Sequence, residues 1–244
     1  MRKFLFIAAA FMVLSVSGAT QTIESVNVSN SPDGPFSMTK NNGSRPIIVG
    51  TVANGKKDGQ WIEYFESDNH LPNRMMSYVN GRKNGLYIEI DKTGALVRKA
   101  EYKDDILHGE SCTWYRGGRL AKMNTYKDGQ MDGSQIICYE RGGNQEVSNY
   151  KEGQRDGVTT WYDENGKKLM TIDYKAGRFE GKQETFYPNG NLKTSKEYHD
   201  NVQTGEMREY YESGALRLVA NFKNGVPQGK AKNFEDTKPA TPKP

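Results

Sequence analysis

The side chains able to carry acid–base or metal chemistry are few and scattered. His70, His108 and His199 are the only histidines, and neither a His-x3-His nor a Cys-x-x-Cys spacing occurs. No pair of ligands is therefore brought onto one turn of chain, as a zinc site needs. Nothing marks a nucleophile elbow, and a Ser-His-Asp or Cys-His group would have to converge from distant segments. Asp132, Asp156 and Glu180 recur at one place in a repeating frame, but His108, Thr204 and Gln228 hold that place elsewhere. A calcium ladder would need an acidic oxygen at each. The expectation is a protein that is not an enzyme, with no catalytic residue, cofactor or metal.

The aromatic side chains offer binding instead of catalysis. Trp61, Trp114, Trp161, Tyr187 and Tyr211 are the candidate binding-face rings, suited to a sugar face or an extended peptide. Hydrophobic residues make up only 35% of the chain and aromatics 11%, so the same rings are also the core material available.

What must position these rings is a repeat. Tyr78, Tyr102, Tyr126, Tyr150, Tyr174, Tyr198 and Phe222 follow one another at a spacing of 24 residues. Behind each comes a Gly-x-x-x-Gly frame: Gly81/Gly85, Asp105/Gly109, Gly129/Gly133, Gly153/Gly157, Gly177/Gly181, Asn201/Gly205 and Gly225/Gly229. A fixed period of this length identifies a repeat array. Asp105 and Asn201 replace the first Gly, and both residue types enter the left-handed region readily. Both positions of the frame therefore read as structural turn positions, with positive φ required at the first. The frame lacks the Lys-Ser/Thr of a phosphate loop and the apolar 20-mer of a membrane-helix motif.

Each repeat reads as a Gly-x-x-x-Gly loop, a strand of five or six residues ending in an aromatic pair, a tight turn such as Asn189-Gly190, and a returning strand. The fold class predicted is all-β: an elongated single-layer antiparallel β-meander of about seven 24-residue hairpins. One ring of each aromatic pair is expected to join the closing aromatic in a ladder. Ile47 to Val52 is expected to open the array at its first edge. The first repeat carries two extra residues within Glu66 to Asn73, and a bulge or longer turn is expected near Trp161-Tyr162.

The frame resembles the MORN repeat, in its bacterial variant, on segments such as Gly129-Gln-Met-Asp-Gly133, Phe186-Tyr187-Pro188-Asn189-Gly190 and Tyr150-Lys-Glu-Gly153. That resemblance covers about residues 50 to 235 and implies a binding or scaffolding protein. Relatives of the variant carry the label of toxin–antitoxin antitoxin components, which implies an antitoxin as one further role.

Met1 to Ala19 reads as a signal peptide, with Arg2 and Lys3 before an apolar run and Ser17-Gly18-Ala19 for cleavage. The run is too short for a membrane span, so no transmembrane segment is expected after cleavage. Residues 20–45 read as a flexible leader with a short strand at Ile23 to Val28, residues 46–235 as the array, and residues 236–244 as a disordered tail. Removing Arg2 and Lys3 from 34 basic residues leaves 32 against 30 acidic ones, interleaved throughout. No basic stripe for nucleic acid is present. Cys112 and Cys138 fall on first strands of consecutive hairpins, too far apart for a disulfide, and are expected as two half-buried thiols.

From these readings the expected role is an exported scaffold for an unidentified protein partner in the periplasm or at the cell surface. A module binding glycan or peptidoglycan through the aromatic rings is the alternative.

Overall fold

The computed structural model describes residues 12–16, 22–40, 45–66 and 71–236. Every regular element among them is a β-strand. The chain divides into two compact units, residues 1–118 and 119–244.

The first unit contains β1 (Met12–Val16), β2 (Gly34–Lys40), β3 (Pro46–Ala53), β4 (Lys56–Tyr64), β5 (Pro72–Val79), β6 (Arg82–Ile90), β7 (Leu96–Lys103) and β8 (Ile106–Trp114). From β2 to β8 each strand pairs antiparallel with the next, while β1 lies parallel to β2. The second unit contains β9 (Leu120–Lys127), β10 (Gln130–Cys138), β11 (Asn144–Lys151), β12 (Gln154–Arg155), β13 (Gly157–Tyr162), β14 (Lys168–Lys175), β15 (Arg178–Phe186), β16 (Leu192–His199), β17 (Val202–Tyr210), β18 (Leu216–Lys223) and β19 (Val226–Asn233). It is an antiparallel meander throughout, with β12 and β13 both pairing with β11 as one interrupted strand. The all-β hairpin architecture is thus the one the repeat implies.

The Gly-x-x-x-Gly loop expected from the sequence is in fact a two-residue turn followed at once by strand. Asn80 and Gly81 have φ of 50° and 85°, and Asp104 and Asp105 have 50° and 71°. Two successive positive φ values make the tight hairpin turn whose twist matches that of the strands. Gly81, Asp105, Gly129, Gly153, Gly177 and Asn201 each have positive φ and lie in these turns. Strands consequently run eight or nine residues, not five or six.

The second position of the frame is corrected, because it is not in a turn. Gly85 lies inside β6, Gly109 inside β8, Gly133 inside β10, Gly181 inside β15 and Gly205 inside β17, while Gly157 opens β13. The turn is complete before these residues are reached, and they fall where the pairing with the preceding strand slips. On the other side Gly85, Gly181 and Gly205 pair in register with Tyr102, Tyr198 and Phe222. The glycine therefore serves a bulge, where the strand bends and φ is positive. At Gly133, with φ of 117°, an added Cβ would meet the Thr125 Cβ at 3.0 Å. At Gly85 the Ser77 Cβ stands in the way, and at Gly109, Gly181 and Gly205 the carboxylates of Glu101, Asp173 and Glu197 do.

Successive turns are tied to one another. The Gly81 N–H donates to the Lys57 carbonyl at 2.8 Å, and Gly177 to Arg155 and Asn201 to Phe179 repeat the bond. The acidic residue before the second Gly adds a second tie. Asp156 accepts from the Ala176 N–H at 3.2 Å, and Glu180 from the Asp200 N–H at 2.9 Å. These carboxylates shape the turn edge.

Several further expectations are corrected. The strand of the leader is Gly34–Lys40 and not Ile23 to Val28. Residues 22–28 form turns that pack onto the sheet, with Ile23, Val26 and Val28 only 1%, 6% and 6% exposed. Three apolar side chains brought together by that turn have a hydrophobic face to cover, which a flexible leader would leave in water. β3 is not the first edge, because β2 pairs with it. Of the bulge or longer turn expected at Trp161, the bulge is present as a register shift and the longer turn is not: Asp163 N–H to Lys167 C=O closes the hairpin just as Tyr187 N–H to Asn191 C=O closes the next. The register shift there, at Trp161/Tyr162, recurs at Thr185/Phe186 and Glu209/Tyr210. Cys112 and Cys138 are thiols, and buried rather than half-buried, at 6% and 8% exposure. Residues 1–11, 17–21, 41–44, 67–70 and 237–244 lie outside the described residues, and with them the cleavage site, His70 and most of the tail.

Candidate functional site

The repeat builds one face in a regular way. The closing aromatic of each hairpin stands directly across from the residue two places past the first Gly, because the turn between them holds only two residues. Tyr78 pairs with Lys83, Tyr150 with Arg155 and Tyr174 with Phe179. The ladder therefore alternates closing rings with these residues, and not with members of the aromatic pairs as the sequence suggested. Phe179 sits 5.1 Å from Tyr174 and 5.6 Å from Tyr198, both edge-on. Edge-to-face contacts of this kind contribute roughly 0.5–1.5 kcal/mol beyond area burial.

In the first unit this face is covered. Trp61, Tyr78, Met76, Ile48 and Val52 form a cluster with Phe36, Met38, Ile23, Val26 and Val28. Lys57 lies 5.6 Å from the Trp61 ring and 5.3 Å from the Tyr78 ring. Its ammonium donates to the Ile23 carbonyl and, at 3.2 Å, to the Glu24 carbonyl. Glu63 accepts the Ile23 N–H at 3.1 Å and an Asn73 amide hydrogen at 3.3 Å. Burial pushes the Lys57 ammonium below its usual range and the Glu63 carboxyl above its own. The segment at 22–28 is thus held by its main chain between a cation and a carboxylate, over an aromatic floor.

In the second unit Arg155 takes the place that Lys57 holds in its repeat. Its guanidinium lies 5.5 Å from the Tyr150 ring, 5.8 Å from Trp161 and 5.6 Å from Tyr174. Such contacts contribute on the order of 0.5–2 kcal/mol each. Nη2 pairs with Glu146 Oε1 at 2.5 Å and Nη1 donates to Thr159 Oγ1 at 3.1 Å. Trp161 Nε1 donates to the other Glu146 oxygen at 2.9 Å. Beside this cluster Gln135, 4% exposed, donates to Asn124 Oδ1 at 2.8 Å and accepts from the Tyr150 hydroxyl at 3.4 Å. Tyr150, Tyr174 and Tyr198 remain part-exposed here.

The five rings singled out by sequence do not share a track. Counted from the second Gly of its repeat, Trp61 is second, Trp161 fourth, Trp114 fifth, and Tyr187 and Tyr211 sixth. Side chains alternate faces along a strand, so Trp114 falls on the face away from Ser111 and Thr113. Trp61 is 0% exposed and donates its indole N–H to the Thr51 carbonyl at 3.1 Å. The Tyr187 hydroxyl donates to the Tyr210 carbonyl at 2.8 Å, and Tyr211 to Phe234 at 2.9 Å. Tyr139 to Tyr162 repeats that bond. Where an Asp stands in this place it caps its own turn instead: Asp163 accepts from the Asn165 and Lys167 N–H groups.

Of the five, only Trp161 lies in the part-exposed cation–aromatic cluster. Lys57, Arg155, Glu63 and Glu146 were missed from sequence, although a cation two places past a turn Gly, opposite the closing residue (Val52 for Lys57, Tyr150 for Arg155), is a readable sign. His199 Nδ1 meets Glu180 at 2.8 Å on the turn edge. Among the described residues no group of three or more His, Cys, Asp or Glu side chains converges. Burial also raises both thiols, which lowers their nucleophilicity.

Compared with known families, residues 155–176, 179–201 and 203–224 match the family described as the MORN repeat variant. No curated protein matches the chain.

Proposed function

The chain carries MORN-variant repeats, and from that premise we propose that it is an exported, non-enzymatic scaffold for protein–protein interaction in the bacterial cell envelope. MORN repeats are in general binding modules, which suits a face of rings and cations better than a reaction centre. The observation that carries the reading is the part-exposed ladder at Tyr150, Arg155, Trp161 and Tyr174. The apolar run Phe4 to Val16 behind Arg2 and Lys3 supports export. Cleavage after Ala19 would remove β1 and leave β2 as the first strand. Among the described residues no helix is long and apolar enough to cross a membrane.

Affinity purification of the native complex from envelope extract, with cell fractionation alongside, tests this. A protein partner and a shortened chain outside the cytoplasm are expected. A full-length chain confined to the cytoplasm would support the antitoxin role instead. The glycan reading is weakened by the burial of Trp61 and the divergent positions of the other rings. Retention on purified cell wall that is lost on Trp114→Ala and Trp161→Ala substitution would restore it.

A further inference from the structure

We propose that Arg155 and Glu146 form a main-chain clamp that takes an apolar, turn-forming segment of a partner protein onto the ladder face of residues 119–236. This deepens the scaffold reading and rests on it.

The template is in the same molecule. In the first unit the Ile23 peptide is gripped on both sides, its N–H by Glu63 at 3.1 Å and its carbonyl by Lys57. The segment is itself a turn: the Ser25 and Val26 N–H groups both donate to the Thr22 carbonyl, at 3.1 and 3.2 Å. That turn presents Ile23, Val26 and Val28 to one side, where all three are buried. A cation resting on aromatic faces and a carboxylate nearby thus hold a peptide by groups that every peptide has.

The second unit also sets a cation and a carboxylate on its ladder face, but the carboxylate comes from the neighbouring strand: Trp161 stands where Glu63 does, and Glu146 pairs with Trp161 as Ile48 pairs with Glu63. Arg155 rests on three rings, and Glu146 lies one strand away with its side chain 12% exposed. Each Glu146 oxygen has one neighbour, Arg155 or Trp161, and a carboxylate oxygen accepts a second donor. A guanidinium carries five N–H donors, two of which are engaged here by Thr159 and Glu146. Because Arg155 is already neutralised by Glu146, the clamp has no surplus charge to attract a phosphate or lipid headgroup. Paired charges beside rings suit a neutral main chain with apolar side chains. The occupant is therefore a segment with β-branched residues in the spacing of Ile23, Val26 and Val28.

The probe is a labelled peptide with blocked ends spanning Thr22 to Ser29, titrated against the full chain. Saturable binding is expected, weakened about tenfold or more by Arg155→Ala, since hydrogen bonds to a charged group are lost. Arg155→Met combined with Glu146→Gln removes both charges without leaving one buried alone, and the same loss is expected in that folded variant. No saturable binding would overturn the proposal. So would binding unaffected by either variant, or binding lost on Lys57→Ala instead, which would mean exchange with the chain's own segment. Capture of the native partner at full level by the Arg155 variants would overturn this site and leave the scaffold function standing. Failure of the unmodified chain to capture any protein would count against the function itself.

Discussion

The indole of Trp61 lies against the α-carbon of Gly50: a Cβ at residue 50 would overlap indole Cδ2 and Cε2. The largest fully buried side chain among the described residues thus has its space because the strand beneath it has no side chain there. Gly50→Ala is expected to destabilise the first unit by about 1–3 kcal/mol, the cost of overpacking. Urea unfolding measures it, and the cost should shrink in a Trp61→Val background. Equal costs in both backgrounds would show that the ring is not the cause.

Ala176 occupies the first central position of its hairpin turn with φ of 48°, where the other repeats place Asn or Asp, except for Glu152. A Cβ in the left-handed region costs about 1–2 kcal/mol, and Asn tolerates it better. Ala176→Asn is expected to raise stability by about 0.5–1 kcal/mol, and Ala176→Val to lower it. Thermal melts of the two variants should move in opposite directions.

Tyr187 ties its hairpin to the next through a hydroxyl that reaches the Tyr210 carbonyl at 2.8 Å. Tyr187→Phe keeps the ring and removes the bond, at an expected loss of about 1 kcal/mol. Hydrogen exchange should quicken around residues 187–191 and 210–215, while capture of a partner stays unchanged. Loss of capture without a change in exchange would return Tyr187 to the binding face.

The buried clamp on the leader gives a pH dependence. Burial raises the Glu63 carboxyl above its usual 4.5. A group with a raised folded pKa contributes stability that is present below its unfolded value and is lost as pH rises through the folded one. The melting temperature of the native chain is therefore expected to lose this contribution above pH 4.5, and Glu63→Gln to remove that part of the slope. Parallel pH profiles for the two proteins would contradict it.

The period of tyrosines made the hairpin meander legible, because each repeat spells its own turns: Asp105 and Asn201 point to positive φ where Gly alone would be ambiguous. The two-residue length of those turns was missed. It depends on the residue before the first position of the frame also taking positive φ; Asn54, Asn80, Asp104, Asp128, Asp200 and Asn224 are types that do so readily, a sign left unread, whereas Glu152 and Ala176 are not. That single extra residue moves the strand start, carries Gly85, Gly109, Gly181 and Gly205 out of the turns and into strands, and decides which side chain meets each closing ring. Hence Arg155 and Lys57 were missed, and Trp114 and Tyr187 were grouped with Trp161. The packing of Ile23, Val26 and Val28 was hidden for another reason: its partners Lys57 and Glu63 lie more than thirty residues along the chain.

The central claim is that the ladder face of residues 119–236 is where a partner docks. A photoreactive phenylalanine at Tyr198, on that face, and at Val158 and Leu169, each 47% exposed on the opposite one, tests it in living cells. A covalent protein adduct from Tyr198, with none from Val158 or Leu169, is the result expected. Adducts from Val158 or Leu169 alone, or from none of the three, would contradict it.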